Sequence, residues 1–244
     1  LTLKKSDYAH LYANFEAPVM RFDCGRMCAP LNDGSPICCS TEAAVPVASK
    51  TEYKLLKKRT DLWRKFKPKD AAGSEIVDTL DKSCVAIQCK GARYCERENR
   101  SLSCRTFPFY PYITRERELI GLAYYWIFED RCWVISTLER IDQDFIDEFL
   151  ATYEYIFRKD PSEFDVYRDW STNQRRVFSR WKRHFPVIGR DGRWKKVQPH
   201  GGGIVPAKKG DLGRHGPYRS EKAYRKAVKA AGGKVPKKLL KELR

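Results

Sequence analysis

The sequence predicts an α-rich α+β domain built around an irregular, cysteine-ligated metal core packed by helices, followed by a basic C-terminal arm. Three observations lead there. Eight of the nine cysteines fall into two groups of four, Cys24, Cys28, Cys38 and Cys39, then Cys84, Cys89, Cys95 and Cys104, with Cys132 apart. Segments with helical caps and helical apolar spacing surround both groups. The net charge of +17 is concentrated at one end: residues 175–244 carry 22 Lys and Arg against 4 Asp and Glu, whereas residues 1–174 carry 26 against 27. With 244 residues the chain can bury one substantial core.

The opening residues, LTLKKSDYAHLY, lack the apolar stretch of a signal peptide. The longest apolar run, LIGLAYYWIF (119–128), is ten residues, against the roughly 20 that a membrane-spanning helix needs. The expectation is a soluble cytoplasmic protein without a membrane partner. The first cysteine loop can turn at Gly25. Ser49 and Glu52 then form a capping box for SKTEYKLLKKRTDLWRKF, in which Tyr53, Leu56, Trp63 and Phe66 recur near helical spacing until Pro68 ends the run. The second cysteine group, CVAIQCKGARYCERENRSLSC, has neither helical nor strand period and reads as loops, with Gly91 at a turn. It flows into RTFPFYPYIT, where Pro108 and Pro111 forbid regular helix.

Thr114 reads as the cap of a central helix, RERELIGLAYYWIFED, and CWVIST (132–137) as a short strand. Over residues 139–158 a helix is expected from the four-residue steps of Ile141, Phe145, Phe149, Tyr153 and Phe157, and a further amphipathic, basic helix over 162–185. From Pro186 the texture turns to Gly, Pro and Lys/Arg. That change divides the chain into a cysteine-cluster domain, 1–185, and a linker or arm, 186–244, with one short helix at 220–231 between Ser220 and Gly232-Gly233.

Thiolates are soft ligands suited to zinc or an iron–sulfur cluster, and four complete a tetrahedral site. Three residues separate Cys24 from Cys28 and four separate Cys84 from Cys89, within the roughly two to four of a chelating loop. In a reducing compartment clustered cysteines favour metal over disulfides, and an odd total spoils complete pairing. Adjacent side chains diverge, so Cys38 and Cys39 need an unusual turn to reach one ion. The two groups are free, on sequence, to form two sites or to interleave into one. Bound thiolates carry negative charge that needs compensation. Lys90, Arg93, Arg97, Arg100 and Arg105 lie in or beside the second group, and Arg105 is the leading candidate.

The stretch CVAIQCKGARYCERENRSLSCRTFPF resembles the C-terminal half of the YkgJ-type cysteine-cluster domain, a zinc- or iron-chelating family, through its signature Cys104-Arg105-Thr106-Phe107-Pro108. The paired Cys38-Cys39 resembles that family's double cysteine, and ICCSTEAAVPVASKTEY is similar to its flagellin lysine N-methylase branch. The likeness covers roughly residues 22–112. It implies a metal centre, iron–sulfur or zinc, and in one branch methyl transfer to lysine; the expected ligands are cysteines of both groups. The family commonly spaces its first cysteines by two residues, where this chain has gaps of three and nine, and Cys89 lacks an obvious counterpart.

Other chemistry is less well marked. No Cys-x-x-Cys is present, and His10, His184, His200 and His215 lie far from the cysteines. Cys132 reads as a buried core thiol, and GGGIVP as a hinge. In the tail Trp181, Trp194, Tyr218 and Tyr224 are interspersed among cations, which makes nucleic acid or an acidic protein the expected partner of the arm.

Overall fold

Helix caps and strand pairings divide the chain. The computed structural model describes residues 3–242 and mixes helices with two antiparallel sheets. Helix α1 (Lys5–Ala13) leads to the first cysteine loop, where α2 (Gly25–Cys28) is a single turn. Strand β1 (Val47–Ser49) is followed by α3 (Lys50–Arg59), β2 (Trp63–Lys65), α4 (Ala71–Asp78) and β3 (Cys84–Cys89). These strands form a sheet of order β1-β3-β2, with Cys84 opposite Ser49 and Cys89 opposite Trp63.

After the second cysteine loop come α5 (Leu102–Thr106), β4 (Phe109–Ile113), β5 (Leu119–Tyr124), α6 (Gln143–Lys159) and α7 (Pro161–Arg180). Then β6 (Phe185–Gly189), β7 (Trp194–Val197) and β8 (Ile204–Pro206) complete a five-stranded sheet of order β4-β5-β6-β7-β8, before α8 (Glu221–Ala230) and α9 (Lys237–Glu242). Asp160 caps α7 directly after α6, and Pro161 suits the first helical position. Phe157 meets Phe164 at 5.2 Å and Tyr153 meets Tyr167 at 4.9 Å, the pairing of an antiparallel hairpin.

Strands β4 and β6 and most of β5 are buried on both faces. Phe109, Leu122, Tyr124 and Ile188 join the main core, where Phe145 of α6 lies 6.0 Å from Phe109. Tyr110, Tyr112, Ala123, Phe185, Val187 and Val197 face the other way and pack with Phe178 of α7. Polar pegs fix α7 to β4: Ser171 Oγ accepts from Ile113 N at 3.0 Å, and the buried Gln174 Oε1 accepts from Tyr110 OH.

Five expectations need correction. The second cysteine group opens with strand β3 and not with a loop, because β1 and β2 pair with it on either side. The apolar run from Leu119 is strand β5, not helix, because a segment buried on both faces is apolar throughout and carries no distinguishing period. Thr114 closes the β4–β5 turn instead, its Oγ1 accepting from Glu118 N at 3.2 Å. CWVIST contains a 3₁₀ turn, Trp133–Ser136, rather than a strand. Helix α3 stops at Arg59, and Trp63 begins a strand whose other partner is Cys89. Finally, the boundary expected at 185 falls inside β6, and residues 185–206 supply three strands of the larger sheet. Among the described residues no helix is long and apolar enough to cross a membrane.

At Gly121 strand β6 passes close to β5: a Cβ there would lie 1.8 Å from the carbonyl oxygen of Ile188. Gly121→Ala is therefore expected to cost at least about 1–3 kcal/mol, the range of overpacked cores. At Gly203 a Cβ would meet nothing within 4 Å, so Gly203→Ala should stay within about 0.5 kcal/mol of wild type. Denaturant midpoints of the two variants check this contrast.

Candidate metal centre

The first cysteine loop is folded by small residues. Cys24 precedes α2, and Asp23 Oδ1 accepts from Gly25 N at 3.0 Å. A Cβ on Gly25 would lie 2.7 Å from Pro36 Cγ, so only glycine lets the Pro36 segment close over the start of the loop. That closure carries Cys38 and Cys39 back towards Cys24 and Cys28. The two adjacent cysteines share a 3₁₀ turn, Ile37–Cys39.

The second group is divided by its own secondary structure. Cys84 and Cys89 bracket strand β3, so five residues of rise separate them by roughly 16 Å, and an odd separation puts them on opposite faces. They do not form the chelating loop expected from their spacing. Cys84 instead adjoins Ser83, whose hydroxyl lies 3.7 Å from its sulfur, and its electrostatic neighbours include Glu163, Asp81 and Glu52 rather than other thiols. Cys89, Cys95 and Cys104 turn the other way. Gly91, at φ +107°, donates its N–H to Cys89 Sγ at 3.3 Å.

Cys104 is positioned by α5, whose cap Ser101 accepts from Cys104 N at 3.3 Å. The first residue of α5 is held from outside: Leu102 N donates to Glu52 Oε1 at 2.8 Å, and Tyr12 OH donates to the same oxygen at 2.8 Å. Glu52 thus serves a different helix from the one it was expected to cap, although Ser49 Oγ does accept from Glu52 N at 3.0 Å. The loop between Cys95 and Cys104 is pinned by Asn99, which accepts from Trp63 Nε1 at 2.8 Å through its carbonyl and from Arg59 Nε at 3.0 Å through its side chain.

Electrostatics bring the two groups together. A charge on Cys39 is felt at Cys28, Cys89, Cys95 and Cys104, and charges on Cys24 and Cys28 at Cys38 and Cys132. Burial pushes Cys24 and Cys104 up to about 12. Cys39 is drawn downward, first by the hydrogen bond from Cys38 and further by Arg100, while Cys38 is driven up in exchange. Arg100 is the cation of the site, since its charge also acts on Cys24, Cys95 and Cys104. Arg105, the expected partner, is buried and turned elsewhere: its guanidinium donates to the carbonyls of Phe15, Glu98 and Arg100 and lies 4.6 Å from the centre of the Tyr12 ring.

The basic tail reaches this region too. Tyr224 OH donates to Met27 O at 2.9 Å, Tyr218 stacks on Tyr224 at 5.9 Å, and the backbone at Gly233 passes so close to Pro30 that a Cβ would lie 2.1 Å from its carbonyl oxygen. The expected free arm is a cover over the first cysteine loop.

Seven of the eight predicted ligands, Cys24, Cys28, Cys38, Cys39, Cys89, Cys95 and Cys104, therefore share a neighbourhood, and Cys84 stands outside it. Among the described residues no three His, Cys, Asp or Glu side chains are gathered closely enough to hold a metal ion as they stand. All nine cysteines are free thiols, and Cys132 is buried as expected. Compared with protein-family models, curated proteins and solved structures, the chain matches none.

Burial raises the Glu52 carboxyl above its ordinary value of 4.5, against the lowering effect of Leu102 N–H, Tyr12 OH and Arg105. The folded state then binds more protons than the unfolded one, so this group's contribution is fully present below about 4.5 and is lost as pH rises through the folded value. Glu52→Gln keeps a carbonyl acceptor and does not titrate. Its stability relative to wild type should improve as pH rises above that point. Thermal melts of both proteins across the acid range test this, and a constant difference would remove the assignment.

Proposed function

We propose that this protein binds a metal centre, an iron–sulfur cluster or zinc, through thiolates drawn from both cysteine groups and gathered around Cys39. The observation that carries the reading is the convergence of the two groups: Cys39, in its 3₁₀ turn, acts electrostatically on Cys28 of its own group and on Cys89, Cys95 and Cys104 of the other, with Arg100 beside it. The thiolate is the ligating form. Donor chemistry agrees, because an all-sulfur set suits both zinc and iron–sulfur clusters.

Within this proposal Cys39, Cys89, Cys95 and Cys104 are the leading donors, and Cys24, Cys28 and Cys38, within electrostatic reach of one another, are the further ones. Arg100 and the Gly91 N–H would offset the negative charge of the bound thiolates, in the manner of second ligand shells generally. A closed set of four sulfurs would make the centre structural. The resemblance to the YkgJ-type family points the same way.

Anaerobic purification followed by a visible spectrum and elemental analysis tests the proposal directly. Iron with sulfide, or zinc, should accompany the wild type. Cys39→Ser and Cys104→Ser should lose most of the metal, whereas Cys84→Ser and Cys132→Ala should keep the wild-type stoichiometry. Metal-free wild type, or equal loss in all four variants, would overturn it. Thiolate zinc sites have apparent binding free energies of about 10–16 kcal/mol, comparable with a whole domain's net stability. Chelation should therefore disorder the segment 22–112, seen as collapse of its amide spectrum.

A further inference from the structure

We infer that a cleft between α7, the β4–β5 turn and the β7–β8 connection binds a phosphate-bearing small molecule of nucleotide size. Its volume is about 670 Å³, inside the roughly 300–1,000 Å³ typical of small-molecule sites. Five arginines line it, Arg115, Arg168, Arg175, Arg176 and Arg180, and no lining side chain is acidic. Glu116 borders only the adjoining recess of about 280 Å³.

The sequence builds this wall by simple spacing. Positions 168, 172, 176 and 180 follow one another at helical steps of four, so three of the arginines lie along one stripe of α7. Arg115 enters from the β4–β5 turn. Two of the five are already engaged: Arg168 pairs with Asp165 at 2.9 Å, and the buried Arg175 donates to Ile113 O at 2.8 Å and to Thr172 Oγ1 at 2.8 Å. Arg115, Arg176 and Arg180 are exposed and have no ion-pair partner among the described residues. Guanidinium groups crowded in this way repel one another, and an anion relieves the repulsion while filling their paired donors. Phosphate matches that fork geometry.

The third wall is backbone. Gly201 and Gly202 both adopt left-handed conformations, at φ +74° and +68°, and a Cβ on Gly202 would lie 3.2 Å from Arg175 Cδ and 3.4 Å from Arg115 Nε. Glycine at this point keeps the loop against the two arginines without displacing them. The triple glycine is thus a wall of the cleft, placed where the β7–β8 connection passes α7. A half-open cleft of this size, continued only by the small recess beside Arg115, suits one compact ligand better than a nucleic-acid strand, which needs a longer track.

Calorimetric titration of the full chain with ATP tests the inference at about 150 mM salt, where surface charge is screened beyond roughly 8 Å. Wild type should bind. Arg176→Ala/Arg180→Ala, and separately Gly202→Ala, should weaken binding by about tenfold or more, as expected for lost charge-assisted contacts, with melting checked in parallel. Lys57→Ala/Lys58→Ala removes the same charge from exposed positions of α3 and should bind as wild type. The inference fails if ATP does not bind, or if both double variants weaken equally. It also fails if a single-stranded RNA binds much more tightly than ATP through the same two arginines, since the cleft would then belong to nucleic acid. None of these readouts depends on metal content.

Discussion

One buried carboxylate connects the parts of this molecule that local sequence cannot connect. Glu52 Oε1 receives Tyr12 OH from α1 and Leu102 N from α5, partners 40 and 50 residues away in the chain. The bond to Leu102 satisfies one of the orphan N–H groups at the start of the helix that carries Cys104. The bond to Tyr12 sets the ring that lies between Arg59 and Arg105, at 4.9 Å and 4.6 Å from its centre. Through Arg105 the same assembly holds the carbonyls of Phe15, Glu98 and Arg100, and Arg59 holds Asn99. The loop of the second cysteine group is thereby suspended from helices, not from its own short turns. Ionising such a group is costly in the interior, which is why its two bonds together matter more than either alone.

What could be read from the sequence was what depends on a few neighbouring residues. Ser49 and Ser220 cap the helices assigned to them, because capping acts over three residues. The stripe Phe145, Phe149 and Tyr153 is buried in α6 as its spacing requires. Failures occurred where distant chain decides. Strand β5 lies between two packed faces, so helix and strand readings were equally compatible with its residues. Cys84 and Cys89 had chelating spacing, but pairing with Ser49 and Trp63 straightened the chain between them. Arg105 adjoins Cys104 in sequence and Arg100 does not, yet it is Arg105 that is turned away, held by the carbonyls of Phe15, 90 residues distant, and of Glu98 and Arg100.

The charge distribution also changes meaning once folded. The excess of cations begins in α7 and continues through β7 into the tail, so the sequence presents it as a property of one end of the chain. In the structure it separates into surfaces with different neighbours. The arginines of α7 meet Arg115 and the glycine loop, while α8 turns Tyr224 inward onto the first cysteine loop. An electrostatic arm and a packed cover are made from the same stretch, because Tyr218, Tyr224 and Val228 supply the apolar contacts that the cations lack.

The contact between Tyr224 and Met27 spans 197 residues. During synthesis at about 5–20 residues per second, the first cysteine loop leaves the ribosome roughly 10–40 s before the residues that cover it exist. For that interval Cys24, Cys28, Cys38 and Cys39 are open to solvent, oxidants and incoming ligands alike. The order of translation thus gives the loop a period of chemical accessibility that the finished fold withdraws.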